Sequence, residues 1–366
     1  MGYAAMKGLV LLLALVVAAL AVGAGSVQPG KPMVPAMFVL GDSTLDVGNN
    51  NYLPGKDVPR ANMPFYGIDF PGRPKPTGRF SNGYNIADFI AQKLGFDRSP
   101  TAYLALKSRN YLVASALVRG VSYASAGAGI LDSTNAGNNI PLSKQLHYFA
   151  STKVEMEAAW GSRNVPKILA KSFFLLGIGS NDLFQTKPQT PAEVATLYAT
   201  LISNYSAAIT DLYGMGARKF GIINVGRVGC VPIVRLLSAT GTCNENLNNY
   251  SVGFASAVKS ALAGLAPKLP GFAYSIGDSF AATQTTFNPR SLGFKSADSA
   301  CCGTGRLGAE GGLCTRNATL CTNRDAYVFW DWVHPTQRAA EIGAKGLFDG
   351  PAELTWPISF KQLAQK

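Results

Sequence analysis

A carboxylate, an imidazole and a hydroxyl stand in this chain at spacings that allow nucleophilic chemistry. Only two histidines occur, His147 and His334, and His334 lies in Asp331-Trp332-Val333-His334-Pro335. A carboxylate three positions before an imidazole can accept one ring N–H, fix the tautomer and stabilise the imidazolium. An imidazole held in this way is the usual base for serine, whose hydroxyl is a poor nucleophile until its proton is removed. The serine to pair with it is Ser43, at the end of Phe38-Val39-Leu40-Gly41-Asp42-Ser43. There an apolar run stops on a glycine that permits a tight backbone and leaves the hydroxyl uncrowded. A second Gly277-Asp278-Ser279 follows Ala273-Tyr274-Ser275-Ile276, so the tripeptide alone does not choose between Ser43 and Ser279.

Attack of a serine on an acyl carbon creates an oxyanion that needs donors. The backbone N–H groups of Ser43 and Gly127 and the side-chain amide of Asn181 are the candidates, each worth roughly 3 kcal/mol in the transition state. Gly127 sits in Ser125-Ala126-Gly127-Ala128-Gly129, where a missing side chain allows close approach, and Asn181 sits in Gly179-Ser180-Asn181-Asp182. Plainer roles exist for several of these residues. Asn181 can cap a following helix, Asp331 can pair with a basic neighbour, and Asp42 can satisfy nearby backbone N–H groups. His147 reads most simply as a surface or packing residue.

The elements that must carry these groups alternate. Strand-like runs cover residues 36–41, 173–178, 219–225 and 272–276, with a further pair at 121–124 and 125–129. Helical periodicity covers 85–94, 142–160, 191–213, 247–265 and 336–348. Such alternation predicts an α/β fold with a mostly parallel sheet covered by helices on both faces. Ligands gather at the carboxyl ends of strands in such sheets, and Ser43, Gly127, Asn181 and His334 are each expected to close a separate strand. Residues 49–82, rich in Pro, Gly and Asn, are too long for an ordinary connection. They read as a functional loop over the site or as a wrapping segment. No G-x-S-x-G elbow is present, which argues against the other common home of serine acyl chemistry.

The 366 residues are 47% hydrophobic and 15% charged, as expected of a folded chain with a large core. The net charge of +12 is spread without a long Lys/Arg run, so no nucleic-acid arm is indicated. A basic surface of this kind suits an anionic polymer or a membrane surface, or solubility alone. Lys7 and the apolar residues 8–24 have the pattern of a secretory signal peptide cleaved after Ala24, leaving 25–366 as a single domain. In that oxidising route six cysteines predict three disulfides, with Cys230 and Cys243 as the preferred local pair. Cys301, Cys302, Cys314 and Cys321 then pair among themselves in an order left open. No C-x-x-C pair and so few histidines speak against a zinc site. Sequons at Asn204, Asn249 and Asn317 agree with a secreted glycoprotein.

Taken together, these blocks resemble the GDSL esterase/lipase family of the SGNH hydrolases, in its plant secreted branch. Residues 38–48 (FVLGDSTLDVG), 120–131 (GVSYASAGAGIL), 179–182 (GSND) and 331–335 (DWVHP) are similar to its four blocks, and PTGRFSNG at 76–83 and Cys301-Cys302-Gly303 add to the match. The resemblance implies a three-layer, flavodoxin-like α/β/α sandwich and a Ser43–Asp331–His334 triad without metal or cofactor. It implies hydrolysis of carboxylic esters, lipid or acylated wall polymer, outside the cell in the apoplast or wall. It also places the nucleophile at Ser43 rather than Ser279. Transfer of the acyl group to another alcohol, or wall or lipid binding with little turnover, are the alternatives. Thr44 stands where the family name has leucine, Ser122 where asparagine is common and Ala126 where glycine is frequent. The last of these adjoins a proposed oxyanion donor.

Overall fold

Phe173–Gly177 is apolar at nearly every position, and its residues are buried on both sides. A strand of that kind belongs in the middle of a covered sheet. In the computed structural model, which describes residues 31–72, 75–186, 188–286 and 292–366, it is β3 of a six-stranded sheet. The others are β1 (Met37–Gly41), β2 (Gly120–Ser122), β4 (Lys219–Ile223), β5 (Ala273–Gly277) and β10 (Thr355–Trp356). Their order is β10-β5-β4-β3-β1-β2, parallel throughout except for the β10 edge. The segment 1–24, expected to be a signal peptide, lies outside the described residues. Among those residues no helix is long and apolar enough to cross a membrane.

Alternate side chains of the strands serve two cores. Phe38, Leu40, Phe174, Leu176, Phe220 and Ile222 pack beneath the helices Leu142–Trp160, Pro191–Gly214 and Glu245–Leu265. Phe38 stacks on Phe174 at 5.1 Å, and Phe149 meets both rings edge-on. Met37, Val39, Phe173 and Leu175 face the other way, onto Ile86–Lys93, Gln337–Asp349 and Phe360–Gln365. The architecture is therefore the expected three-layer α/β/α sandwich. Three of its helices begin where local chemistry dictates: Asn85 with Asp88 and Thr190 with Glu193 form capping boxes, and Thr336 caps the helix after Pro335.

Strand order and chain order together locate the site. From β1 the chain moves outward to β2, then crosses back over β1 to β3. The crossover direction thus reverses between β1 and β3, and a crevice opens there at the carboxyl ends.

Two sequence expectations need correction. Residues 125–129 are a turn, not a strand, and the strand before them is only Gly120–Ser122. The backbone there is claimed by side chains: Ala126 N–H donates to Asp46 Oδ2, and the Ser125 hydroxyl donates to Asn50. Gly127 takes φ +82°, which no strand residue adopts. Nor does His334 close a strand of the main sheet. Tyr327–Phe329 (β9) pairs in parallel with Ser296–Ala300 (β6) in a separate two-stranded sheet, and a turn closed by Trp330 N–H to His334 O carries the histidine from there. A second two-stranded sheet, Cys302–Gly303 (β7) with Thr319–Leu320 (β8), lies between them in sequence. The disulfides are Cys230–Cys243, as preferred from spacing, Cys301–Cys321 and Cys302–Cys314.

Candidate active site

Ser43 follows β1 by two residues, and the glycine before it is required by the sheet itself. Gly41 pairs with Gly177 across β1 and β3, and a Cβ on Gly41 would lie 2.4 Å from the Gly177 carbonyl oxygen. Beyond the end of β2, Gln145 takes over the pairing: its amide accepts Gly41 N–H at 2.8 Å and donates back to Gly41 O at 2.9 Å. The peptide carrying the Ser43 N–H is held through its other end, because Asp42 O accepts N–H groups from Leu45 and Asp46. Asp42 is buried, and its Oδ1 accepts both the N–H and the hydroxyl of Thr44. That is the role of the threonine standing in place of leucine. Burial pushes the Asp42 carboxyl up to about 6, against the opposing Thr44 bonds.

The second oxyanion candidate is fixed by side chains from the loop after Ser43. Asn50 Nδ2 donates to Ala126 O at 2.9 Å, and that carbonyl belongs to the same peptide unit as the Gly127 N–H. Asp46 collects the N–H groups of Gly48, Asn49 and Ala126. Asn49 donates to the carbonyls of Ser122 and Ala124. Ala126 sits in this frame with ordinary backbone angles, so the departure from glycine costs no strain. At Gly127 a Cβ would meet nothing closer than 3.5 Å, so the glycine is needed for its positive φ rather than for space. Among the described residues neither Ser43 N–H nor Gly127 N–H has an acceptor. Ser122 Oγ, also a departure, is buried without a partner.

Asn181 does not cap its helix. It occupies the first turn of Ser180–Gln185, whose cap is Gly179, and donates one amide hydrogen to Ala128 O at 2.9 Å. That bond orients the amide and leaves its other hydrogen for a ligand. Next to it, buried Asp182 accepts Ile130 N–H, Leu131 N–H and the Thr134 hydroxyl, locking the second block to the third.

His334 and Asp331 form a tight pair. The ring Nδ1 lies 2.9 Å from both carboxylate oxygens, and Oδ1 also accepts the N–H groups of Val333 and His334. Burial works to raise the Asp331 carboxyl, but the His334 charge and the bonds from His334, Tyr66 and Val333 prevail and hold it below the usual range. An ionised carboxylate only accepts, so Nδ1 must carry a hydrogen and Nε2 is left as the basic nitrogen. Phe80 packs on the imidazole at 4.7 Å, and Tyr66 donates to Asp331 Oδ2. Both come from the long 49–82 segment, which is therefore part of the site and not merely wrapping. It is clamped by the buried Arg79–Asp88 pair and by Asp69 with Arg324.

One cleft of about 1050 Å³ brings Ser43, Gly127, Asn181 and His334 together, with Asp331 behind the ring. Ser279 also lines the cleft, but it follows β5, three strands from β1, a displacement of about 14 Å at the usual strand spacing. Its N–H is held by Asn224, and Asp278 accepts Ala281 N–H at the head of Ser279–Thr286. His147 is exposed on the helix Leu142–Trp160. Tyr66, Asn50, Asp46 and Asp182 were not singled out from sequence. Gln145 could have been, since a lone amide on the buried face shared with Leu142 and Phe149 needs a polar partner.

A family model described as GDSL-like lipase/acylhydrolase matches residues 37–347. A GDSL esterase/lipase of Arabidopsis thaliana is 36% identical over 347 residues, spanning 92% of this chain and 87% of the relative. Another from the same plant is 36% identical over 372 residues, spanning 97% of this chain and 96% of the relative. Among solved structures, a phospholipase A1 from Streptomyces albidoflavus aligns at 18% identity with a TM-score of 0.35, over 85% of this chain and 96% of its own. The family match covers every block that carries the cleft, and the chain belongs to the GDSL-like lipase/acylhydrolase family.

Proposed function

We propose that this carboxylic ester hydrolase works through an acyl-enzyme on Ser43. The carrying observation is the pair of backbone donors, Ser43 N–H and Gly127 N–H, left without acceptors in a cleft shared with the Asn181 amide and His334. Donors placed before the reaction at the point where negative charge develops cost no reorganisation in the transition state. Nε2 of His334 takes the Ser43 proton as Oγ bonds to the acyl carbon, and the oxyanion forms against the three donors. The protonated ring then hands its hydrogen to the departing alcohol, while Asp331 holds Nδ1–H. Water, deprotonated by the same nitrogen, releases the acid and restores Ser43. No metal or cofactor is called for in these steps.

The walls of the cleft support an ester with an apolar acyl chain. Ile178, Leu183, Phe184, Val225, Val234 and Leu247 line the cleft and suit an apolar acyl chain, from a lipid or an acylated wall polymer. Three disulfides, three exposed sequons and the apolar 8–24 run support a secreted glycoprotein, cleaved after Ala24 and folded as one domain over 25–366. The basic surface supports residence near anionic wall polymer or lipid headgroups.

Hydrolysis of a short p-nitrophenyl ester tests the nucleophile. Ser43→Ala should abolish turnover and Ser279→Ala should leave it near wild type; retained activity in Ser43→Ala would overturn the assignment. N-terminal sequencing of the secreted product should begin at Gly25, and any start well inside the domain contradicts the cleavage site.

A further inference from the structure

Asp331 is fully buried, and the bonds from its own turn, the N–H groups of Val333 and His334, both go to Oδ1. Oδ2 receives its other donor from far away in sequence: the Tyr66 hydroxyl, at 2.6 Å. Tyr66 is 1% exposed, and its oxygen in turn accepts the N–H of Cys314 at 3.1 Å. Cys314 is bonded to Cys302, which tethers that N–H to the β7 strand. With an N–H donor on one side and an ionised carboxylate on the other, the single phenol hydrogen has one place to go.

We propose that Tyr66 is a positioning residue for this site, its hydroxyl setting the plane and the basicity of Asp331 and, through Asp331, the imidazole of His334. The proposal rests on the reading of His334 as the base and Asp331 as its orienter. A short O–H···O⁻ bond of this kind is charge-assisted and among the stronger protein hydrogen bonds. It pins the carboxylate so that Nδ1 sits between its two oxygens, and it withdraws negative charge from Oδ2. Without it the carboxylate can turn about its last torsion, and it stabilises the imidazolium more strongly.

The charged and titratable groups that act on the pair, among the described residues, come from two elements: Asp42 on the β1 exit feels the His334 charge, and Tyr66 faces Asp331 from the 49–82 segment. Asp182 on Ser180–Gln185 acts on Asp42 and not on the pair itself. Burial first, and then the Asp331 charge, hold the Tyr66 hydrogen in place well above the ordinary tyrosine range, so it stays a donor throughout the working pH range.

The test uses the secreted, glycosylated enzyme, with active sites counted by a fluorophosphonate probe and kcat and KM for a p-nitrophenyl ester followed against pH. Tyr66→Phe should lower kcat per titrated site about tenfold, the effect expected for one charge-assisted bond. KM should hold, and the acidic limb of the profile should move to higher pH. Placing 3-fluorotyrosine at position 66, a stronger donor of nearly the same shape, should move that limb to lower pH. Opposite displacements support the proposal, since a packing role alone would lower thermal stability and leave both limbs in place. An unchanged kcat and profile in Tyr66→Phe overturns it, as does displacement of both variants in one direction. If Tyr66→Phe does not fold, the fluorotyrosine protein decides alone, an unmoved limb being fatal. His334→Ala in the same assay separates the two levels. If it is inactive while Tyr66→Phe is unaffected, only the role of Tyr66 falls; if it stays active, the base assignment falls and the proposal with it.

Discussion

The side chain of Asn50 and the main chain of Ala126 are joined by a 2.9 Å hydrogen bond that fixes the peptide plane presenting the Gly127 N–H to the cleft. The two residues lie 76 positions apart, so the proposed oxyanion site depends on tertiary contact. Asn50→Ala removes this bond, the bond to Pro59 O and the acceptor of the Ser125 hydroxyl. The expected loss is about 1–3 kcal/mol of stability from the buried groups left unpaired, read by urea unfolding. kcat should fall with KM nearly unchanged, because the misdirected donor matters only in the transition state.

Asn181 contributes a side-chain donor that can be removed with little damage to the fold. Asn181→Ala deletes one bond to Ala128 O and, on the proposed mechanism, one oxyanion donor. A fall in kcat of about 10²–10³ is expected, with KM changed far less. Steady-state kinetics at saturating ester check this, and a kcat within a factor of about three of wild type would remove Asn181 from the oxyanion site.

Two buried carboxyls give the protein an unusual stability profile. Burial raises Asp42 and Asp46 to about 6, above the value of 3.8 for the free group. The folded state therefore binds more protons than the unfolded state in this window, and stability falls as pH rises from about 4 to about 6, by roughly 3 kcal/mol per group. Asp331, held below 3.8, acts in the opposite sense, its contribution present above that value and lost only in stronger acid. Urea unfolding at pH 4, 5 and 6 should show the slope, and Asp46→Asn should make it shallower. An identical slope in the variant would show that Asp46 is not protonated there.

The Cys302–Cys314 link closes a short loop, with a sequence separation of 12, beside the N–H that holds Tyr66. Replacing both cysteines by alanine should cost about 3 kcal/mol of stability by loop-closure entropy. It should also lower kcat. Breaking Cys230–Cys243, whose loop carries Val231 and Val234 on the cleft wall, should instead raise KM for long-chain esters more than for short ones.

Much of this arrangement was legible in the sequence, and the limits have physical causes. The doubly buried run at Phe173–Gly177 and the periodicity of Leu142–Trp160 follow from local patterns of burial, so their bounds could be read directly. The four blocks named the residues that meet in the cleft. By contrast, residues 125–129 look strand-like but are bent by Asp46 and Asn50, whose bonds cross about 75 to 80 positions. Tyr66 could not be found locally, because only folding brings it to Asp331, 265 positions away. His334 lies against Asp331, three positions before it, but follows a strand of the separate β6–β9 sheet; a short apolar run before a turn reads the same whether its partner is β3 or β6.

Labelling of the purified protein with a fluorophosphonate, followed by intact mass and peptide mapping, tests the central claim most directly. One equivalent should attach to the peptide carrying Ser43, with ester hydrolysis lost in proportion. Label on Ser279, or continued hydrolysis with Ser43 fully modified, would contradict the account.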